Sequence, residues 1–284
     1  MANILSTEKR IQMVQCLVEG CSIRATARMC GVSFNTVLKF VPMIGRACSI
    51  FQDGAYRNLK CQRLQLDEIH SIVGCRAKTA TEAHKAKGWG GCYTWVAVDA
   101  DSRAVVCWFV GDRSAGSAWH FLSDLKERLA NKVQISTDGH AAYVAPMEDT
   151  FGTDLDYGQV QKIYGPTAPG SEGRYSPAQC MGAKKAVITG SPDVAHISTS
   201  YVERVNLTMR MGMRRFTRLT NGHSKKMENH EHALALFYMH YNYCRVNAAH
   251  RVTPAMQLGI ATRVWEIDDI VELLDAAIAQ DSAA

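Results

Sequence analysis

The sequence has no pair of cysteines with the spacing of a metal-binding or redox motif, although it contains ten cysteines in 284 residues. A zinc ribbon or a thioredoxin-like site needs two cysteines separated by two residues, so the sequence predicts neither. Residues 1–10 are polar and lack the apolar stretch of a secretory signal. The longest apolar runs, such as 104–110, are far shorter than the ~20 residues of a membrane span. We therefore expect a cytoplasmic protein with no membrane partner.

Several catalytic and nucleotide-binding motifs are also absent from the sequence. There is no GxSxG nucleophile elbow and no phosphate-binding loop of the GxxxxGK[ST] type. The glycine-rich stretch 88–91 lacks the strand and helix that a dinucleotide site requires on its two sides. These absences argue against a serine hydrolase, a nucleotide hydrolase and a dehydrogenase.

The positive charge of the chain is unevenly distributed. The net charge is +5 at pH 7 with histidine neutral. From residue 266 to the end there are six acidic residues and no Lys or Arg, so the first 265 residues carry a net +11. A charge of this size favours a polyanionic partner such as nucleic acid, with an acidic tail kept separate from it. Basic proteins that bind no polyanion also exist, so the charge alone leaves the partner open.

Residues 7–41 have the pattern of three short helices that contain a helix-turn-helix. The motif needs a small residue where its two helices touch, a glycine in the turn and an apolar residue in the second helix. Ala27, Gly31 and Val37 meet these needs, and Ser33 is a natural N-cap for the second helix. A plain helical bundle with a glycine turn is the alternative. The residues predicted to contact DNA in this region are Arg24, Arg28, Ser33, Asn35, Thr36 and Lys39.

From residue 64 onward the pattern changes to strands alternating with helices. The element order βββαβαβα is that of a ribonuclease-H-like domain, an α/β fold whose mixed sheet is flanked by helices. The helix after the last strand is expected at about 199–219. The predicted domains are a helix-turn-helix domain at 1–42, a linker at 43–63, a catalytic domain at 64–225 with a loop or insertion at 165–192, and C-terminal helices with an acidic tail at 226–284.

Three acidic residues occupy the positions at which a ribonuclease-H-like fold brings carboxylates together. Asp67 lies in the first strand, Asp138 at the end of the fourth, and Glu203 in the first turn of a later helix. Two divalent cations about 3.5–4 Å apart require clustered hard oxygen ligands of this kind. We therefore predict that the three acids bind metal and are catalytic.

Each of these acids also has a structural interpretation. The position of Asp67 also fits an exposed acid on a strand. Glu68, on the other face of the strand, is an equally available acid. Asp138 is followed by a glycine and fits an ordinary turn, and Glu203 would stabilise its helix through the helix dipole. The joint presence of all three in the right element order favours the metal site.

The helix of Glu203 carries a row of polar and basic residues. Asn206, Arg210 and Arg214 follow Glu203 at +3, +7 and +11, and Arg215 is adjacent. A cationic face beside a metal-bound carboxylate suits a scissile phosphate, so we predict that these four residues contact DNA. A solvated basic face is the alternative.

The segment 230–232 (HEH) is a second candidate for metal binding. Histidine is a common metal ligand. The rings of His230 and His232 would nevertheless diverge on a helix, because residues two apart do not share a face. The pattern therefore favours two unrelated histidines.

The stretch 199–220 (TSYVERVNLTMRMGMRRFTRLT) resembles the glutamate helix of insertion-sequence-one-type DDE transposases. The stretches 66–68 (LDE) and 136–139 (STDG) resemble the two aspartate motifs of that family, and 241–245 (YNYCR) and 253–256 (TPAM) are also similar. The resemblance spans roughly residues 5–265, with the motifs in the family's order. One feature departs from it, because many members carry a cysteine zinc finger before the helix-turn-helix.

The resemblance implies a bacterial-type, nucleoid-associated enzyme that transposes an insertion sequence. Asp67, Asp138 and Glu203 would bind two Mg²⁺, with Mn²⁺ able to substitute, and one ion would activate the water that cuts the element's end. The 3′-hydroxyl so exposed would then attack target DNA by transesterification. Arg210 matches a basic residue seven positions after the glutamate in many DDE enzymes. Double-stranded DNA at the terminal inverted repeats and the target would be the partner, and paired ends imply a homodimer or larger assembly.

Two other functions remain open from the sequence. One is a helix-turn-helix regulator or transposition inhibitor whose ribonuclease-H-like domain is inert. The other is a ribonuclease-H-like nuclease that cuts DNA without joining it. The presence of all three acids argues against the regulator. The sequence gives little basis for distinguishing a nuclease that only cuts DNA from an enzyme that also joins it.

Overall fold

A computed structural model describes residues 5–165, 180–217 and 220–283, with side chains up to residue 279. The helices are α1 (Thr7–Val18), α2 (Ile23–Cys30), α3 (Phe34–Ala55), α4 (Glu82–Lys85), α5 (Ala115–Arg128), α6 (Val144–Phe151), α7 (Ser200–Gly212), α8 (Met227–Tyr243), α9 (Pro254–Gln257) and α10 (Ile267–Ala283). The strands are β1 (Arg63–Val73), β2 (Gly90–Asp99), β3 (Val105–Gly111), β4 (Val133–Asp138), β5 (Leu155–Tyr164) and β6 (Cys180–Thr189). Short 3₁₀ helices occur at Ala77–Thr79, Ala141–Tyr143, Val194–His196 and Arg214–Phe216. None of the helices described here is long and apolar enough to cross a membrane.

The six strands form one mixed sheet in the order β3-β2-β1-β4-β5-β6. β1 is antiparallel to β2 and parallel to β4, β5 is parallel to β4, and β6 is antiparallel to β5. Helix α5 packs on one side of the sheet and α7 on the other, so Leu66 and Ile69 of β1 belong to two different cores. The predicted α/β fold, a ribonuclease-H-like mixed sheet flanked by helices, is therefore confirmed.

The helix-turn-helix segment is folded as its spacing predicts. Gly31 ends α2 in the left-handed conformation with φ 64°, which glycine adopts without strain. The Ser33 hydroxyl caps α3 by accepting a hydrogen bond from the backbone N–H of Thr36 at 3.0 Å. Ala27 and Val37 are buried. The turn chemistry and the apolar spacing therefore agree with the structure.

The predicted linker at 43–63 is wrong, because α3 continues through Pro42 to Ala55. Proline costs the helix one hydrogen bond, but the second half of α3 packs against α8 and α10, which outweighs that cost. The approach is closest at Gly45, where an added Cβ would lie 2.3 Å from the carbonyl oxygen of His232. The helix that begins in the helix-turn-helix therefore ends inside the packed core.

The acidic tail that was expected to stay separate is the packed helix α10. Its side chains Ile270, Val271 and Leu274 are buried, and the helix contacts α1 and α3. Asp275 forms an ion pair with Arg10 of α1. The count of acids gave the wrong prediction because it ignored the apolar residues between them, which provide the buried side of the helix.

Part of the predicted loop at 165–192 is a strand. Residues 180–189 form β6 at the edge of the sheet, and residues 166–179 lie outside the described part of the chain. Most side chains of β6 are exposed, so its sequence lacks the alternation by which a half-buried strand is recognised. Residues 161–164 of β5 pair with β6 and not with β4, so the two strands extend the sheet as a hairpin.

The helix that carries Glu203 is shorter than predicted. It ends at Gly212, and the chain continues through an extended Met213 into a 3₁₀ turn. At this point α7 meets its neighbours closely, since an added Cβ on Gly212 would lie 3.1 Å from the ring of Phe237. The residues after Gly212 therefore leave the face on which Glu203 lies.

Candidate functional site

Asp67, Asp138 and Glu203 line one cavity of about 710 Å³. β1 and β4 are adjacent and parallel, which places the middle of β1 next to the end of β4. Helix α7 packs on β1 and β2 and brings Glu203 to the same cavity. The fold thus brings together three acids that are 71 and 65 positions apart in the sequence. The cavity is also lined by the cations Arg113, Lys162 and Arg210.

Asp67 is the most strongly perturbed acid of the cavity. Burial raises the pKa of Asp67 to about 7, with further contributions from the nearby carboxylates of Glu68 and Asp138. Two hydrogen bonds act in the opposite direction. The Asn206 side-chain amide donates to Asp67 Oδ2 at 2.9 Å, and the backbone N–H of Glu68 donates to Oδ1 at 2.9 Å. A cation beside this carboxylate would favour its ionised form.

Asp138 and Glu68 have different surroundings. Asp138 accepts a hydrogen bond from the backbone N–H of His140 at 2.9 Å, which closes the turn after β4. Glu68 points to the other side of β1, where Arg113 contacts it at 2.6 Å and the Tyr143 hydroxyl donates to it at 3.2 Å. Burial and the Asp138 carboxylate raise the pKa of Glu68. Because Glu68 does not line the cavity, Asp67 is the acid of β1 that is available there.

Glu203 is held by a cation from the neighbouring strand. Lys162 of β5 contacts its Oε1 at 2.7 Å, and the Thr199 hydroxyl donates to the same oxygen at 2.5 Å. The Glu203 side chain is 39% exposed, so it faces the open part of the cavity. The carboxylate is therefore paired with a lysine and not with the two aspartates.

The donor atoms of the cavity suit a divalent cation chemically, although the three acids that line it do not form a ready metal site. The side-chain oxygen of Asn206, next to Asp67, is buried and has no hydrogen-bond partner, and carboxylates and amide oxygens are ligands that Mg²⁺ prefers. In the described part of the chain, no three His, Cys, Asp or Glu side chains stand in an arrangement that could hold a metal. Glu203 would have to exchange Lys162 for the cation in order to complete the set.

The four residues predicted to contact DNA from the Glu203 helix have separate locations. Arg210 lines the cavity, as its spacing from Glu203 suggested. Asn206 also lines the cavity, but it is only 3% exposed and its side-chain amide donates a hydrogen bond to Asp67, so the structure gives it a role in holding Asp67. Arg214 and Arg215 lie beyond the end of α7 and line a different cavity. These two arginines do not share the face of Glu203, because the helix ends at Gly212.

The six predicted contacts of the helix-turn-helix fall into two groups. The side chains of Arg24, Arg28, Asn35 and Lys39 are exposed and accessible to a ligand. The hydroxyls of Ser33 and Thr36 lie 2.8 Å apart and bond each other as part of the N-cap. The capping role therefore accounts for these two hydroxyls.

Sequence reasoning missed the cations Arg113 and Lys162 of the cavity. Lys162 belongs to a run of β5 residues that line the cavity, together with Val160, Gln161 and Tyr164, and this run has no period of two by which it could have been recognised. Arg113 comes from the turn after β3, and only the folded chain places it there. The cavity is thus more positive than its three acids suggest.

The segment 230–232 does not form a metal site. His230 is buried on α8 between two hydroxyls, with Nε2 3.1 Å from Ser71 Oγ and Nδ1 3.0 Å from Ser224 Oγ. Burial and the positive charge of Arg215 lower the pKa of His230 to about 3. A neutral imidazole has one donor and one acceptor nitrogen, which matches two hydroxyl partners. His230 therefore has a structural role.

We expect His230 to make the fold sensitive to acid. The folded chain keeps the imidazole neutral, whereas the unfolded chain binds a proton once the pH falls below ~6.5. The free energy of unfolding should therefore fall as the pH drops from ~6.5 towards 3, by about 2 kcal/mol at pH 5. Urea unfolding at pH 8 and pH 5 measures this loss, which should be smaller in His230→Gln and unchanged in His120→Gln, whose imidazole is exposed. Equal losses in all three proteins would contradict the assignment.

Comparison with known proteins gives weak structural likeness and no match by sequence. No protein-family model matches the chain, and no curated protein matches it significantly. Among solved structures, the chain is similar to the crystal structure of the Mos1 strand transfer complex, at 13% sequence identity and a TM-score of 0.22. The likeness covers 55% of this chain and 59% of that chain. A similarity of this degree carries no argument about activity.

Proposed function

We propose that the chain is the DNA transposase of an insertion sequence. It binds the terminal inverted repeats of its element, hydrolyses phosphodiester bonds at the element's ends and joins the freed 3′-hydroxyl to target DNA. The observation that carries the proposal is that Asp67, Asp138 and Glu203, from β1, β4 and α7, line one open cavity with Lys162 and Arg210. Acids mixed with cations in this way suit a phosphodiester held beside metal-bound carboxylates.

Asp67, Asp138 and Glu203 would hold two Mg²⁺ ions, with Mn²⁺ able to replace them. When bound, such ions lower the pKa of coordinated water and stabilise the charge that develops on the phosphoryl oxygens. Asn206 orients Asp67 through its 2.9 Å hydrogen bond, and Arg210 adds positive charge for the DNA backbone. The chain itself would thus supply the metal ligands, the orientation of one ligand and part of the phosphate site.

The exposed part of the helix-turn-helix would read the terminal repeat. Its exposed polar side chains are Arg24, Arg28, Asn35 and Lys39. Asn35 and Lys39 lie at the start of α3, and the same helix continues into the core, where it packs against α8 and α10. Two ends must be held together for joining, so the proposal includes a homodimer or a larger assembly.

Cleavage of DNA that carries the ends of the chain's own element tests the proposal. Purified full-length protein is incubated with end-labelled duplex in Mg²⁺, in Mn²⁺ and in excess chelator. We expect nicks at the element boundary with either ion and none with chelator. Binding of the ends without cutting under any divalent ion would contradict the proposal.

The ion pair between Lys162 and Glu203 provides a second test, which does not require DNA. Part-exposed ion pairs contribute about 0.2–1 kcal/mol, so releasing Glu203 by Lys162→Met should raise the affinity for Mg²⁺ by a factor of about 1.4 to 5. Isothermal titration of Mg²⁺ into the full-length protein measures the change. Lys184→Met removes an exposed charge from β6 and is the matched control, for which we expect little change. Unchanged affinity in Lys162→Met would show that the pair does not compete with the metal.

The same ion pair favours a second candidate function, a DNA-binding regulator with an inert core. A lysine on the third acid, together with the absence of a metal-holding group among the described residues, is the arrangement that such a protein would have. The regulator would bind the element ends tightly without cutting them. It would also show no measurable Mg²⁺ binding in either the wild type or Lys162→Met.

A further inference from the structure

A second cavity lies between the helix-turn-helix and the core, and the catalytic proposal does not use it. This head–core groove has a volume of about 590 Å³. One wall comes from α1, α2 and the start of α3, and the other comes from residues 213–215, residues 221–225 and α8. Arg214 and Arg215, which sequence analysis placed beside Glu203, belong to this groove instead.

The described lining of the groove is positively charged and contains no acid. Its cations are Arg24, Arg214, Arg215 and Lys225, and no Asp or Glu lines it. None of these four forms a salt bridge with a described carboxylate, whereas Arg10, Arg128 and Arg263 elsewhere do. A set of cations without counter-charges favours an anionic ligand.

Arg215 is the most enclosed of the four cations. Its guanidinium donates a hydrogen bond to Ser224 Oγ at 2.7 Å, and burial lowers the pKa of Arg215 to about 10. On the opposite wall, the Arg24 guanidinium lies 5.1 Å from the centre of the Phe34 ring. Positive charge therefore lies on both walls of the groove, and the head and the core each contribute to it.

The floor of the groove is apolar, and this indicates whether an unpaired strand or a duplex fits the groove better. Phe34 and Leu38, one turn apart on α3, are 41% and 36% exposed, and the buried side chains of Leu236 and Phe237 close the core side. A duplex presents phosphates and base edges to a protein, whereas an unpaired strand also presents the flat faces of its bases. An apolar floor between cations therefore suits an unpaired strand better than a duplex.

We propose that the head–core groove binds single-stranded DNA, with bases against Phe34 and Leu38 and phosphates on Arg214 and Lys225. The inference rests on the proposed function in so far as DNA is the substrate, and it adds an unpaired strand as a second form of that substrate.

Binding of a fluorescein-labelled ten-residue oligothymidine to full-length Asp138→Asn in chelator tests this inference without cleavage or metal. Fluorescence anisotropy should show the double variant Arg214→Gln/Lys225→Gln binding at least tenfold more weakly. The slope of log affinity against log salt should also fall by about 1.4. Phe34→Ala should weaken oligothymidine binding roughly tenfold with less effect on a blunt duplex of the same length. The matched control, Lys60→Gln/Lys126→Gln, removes two exposed charges outside the groove and should bind like its parent.

Three binding results would each overturn the groove assignment, in addition to a competition result given below, provided that thermal melting shows each variant to be folded. These are no oligothymidine binding, equal binding by Arg214→Gln/Lys225→Gln, or equal losses for the single strand and the duplex in Phe34→Ala. Displacement of oligothymidine by polyglutamate at equal charge concentration would also overturn it, since the groove would then be a general site for acidic chains. If the protein cuts element ends but fails these tests, only the groove assignment is contradicted. If it passes these tests but never cuts DNA, only the proposal of a transposase is contradicted.

Discussion

Replacing Asp138 by Asn is expected to abolish both the cutting and the joining of DNA. Asp138 lies at the end of β4, close enough to Asp67 to raise the pKa of that carboxyl. An amide keeps the size of the side chain but removes the negative charge that a divalent cation needs. Charge stabilisation by a bound metal contributes several kcal/mol, so the rate should fall roughly a thousandfold or more. Quantified end cleavage and target joining in Mg²⁺ measure the loss.

The control for this variant is Asp154→Asn, which changes an exposed acid just before β5. It should cut and join at the wild-type rate. Asp138→Asn should still bind the element's ends in a gel-shift assay, because none of the predicted reading residues Arg24, Arg28, Asn35 and Lys39 lines the cavity of Asp138. Retention of strand transfer by Asp138→Asn would mean that the three acids have been assigned wrongly.

Gly45→Ala is expected to be the most damaging small substitution in α3. A Cβ at this position would lie 2.3 Å from the carbonyl oxygen and 2.5 Å from the Cβ of His232, so α3 and α8 would have to separate. Overpacking of this kind costs about 1–3 kcal/mol in the free energy of unfolding. Urea unfolding followed by circular dichroism measures the effect.

Gly54→Ala is the matched control, because it lies in the same helix and an added Cβ there contacts nothing within 4 Å. Alanine has the better helix propensity, so this variant should be unchanged or more stable by up to about 1 kcal/mol. If Gly45→Ala were as stable as Gly54→Ala, α3 and α8 would not be in contact at this point. The head would then be attached less closely than described.

Local sequence patterns predicted the elements that depend on near neighbours. The helix-turn-helix followed from Ala27, Gly31 and Val37, because caps and turns are determined by residues a few positions apart. The sheet followed from apolar strands in a recognisable order. The positions of Asp67 and Asp138 could be predicted because they depend only on that order.

The predictions from sequence that differ from the structure concern features that depend on contacts between distant segments. Pro42 suggested the end of a helix, but packing of α3 on α8 carries the helix through it. The prediction that the basic residues after Glu203 lie on its face required a continuous helix. Helix α7 instead ends at Gly212, where it meets Phe237. Lys162 lines the cavity from β5, and it is the pairing of β5 with β4 and β6 that places this strand beside the cavity. No pattern within a single element contains this information.

The joining of a labelled element end to an unlabelled circular target tests the central claim most directly. Wild-type protein in Mg²⁺ should transfer the label covalently to the target, and sequencing should place the element's 3′ end at the junction. Asp138→Asn and chelator should each remove the product. Transfer by Asp138→Asn, or tight binding of the ends with no covalent product in any divalent ion, would contradict the claim.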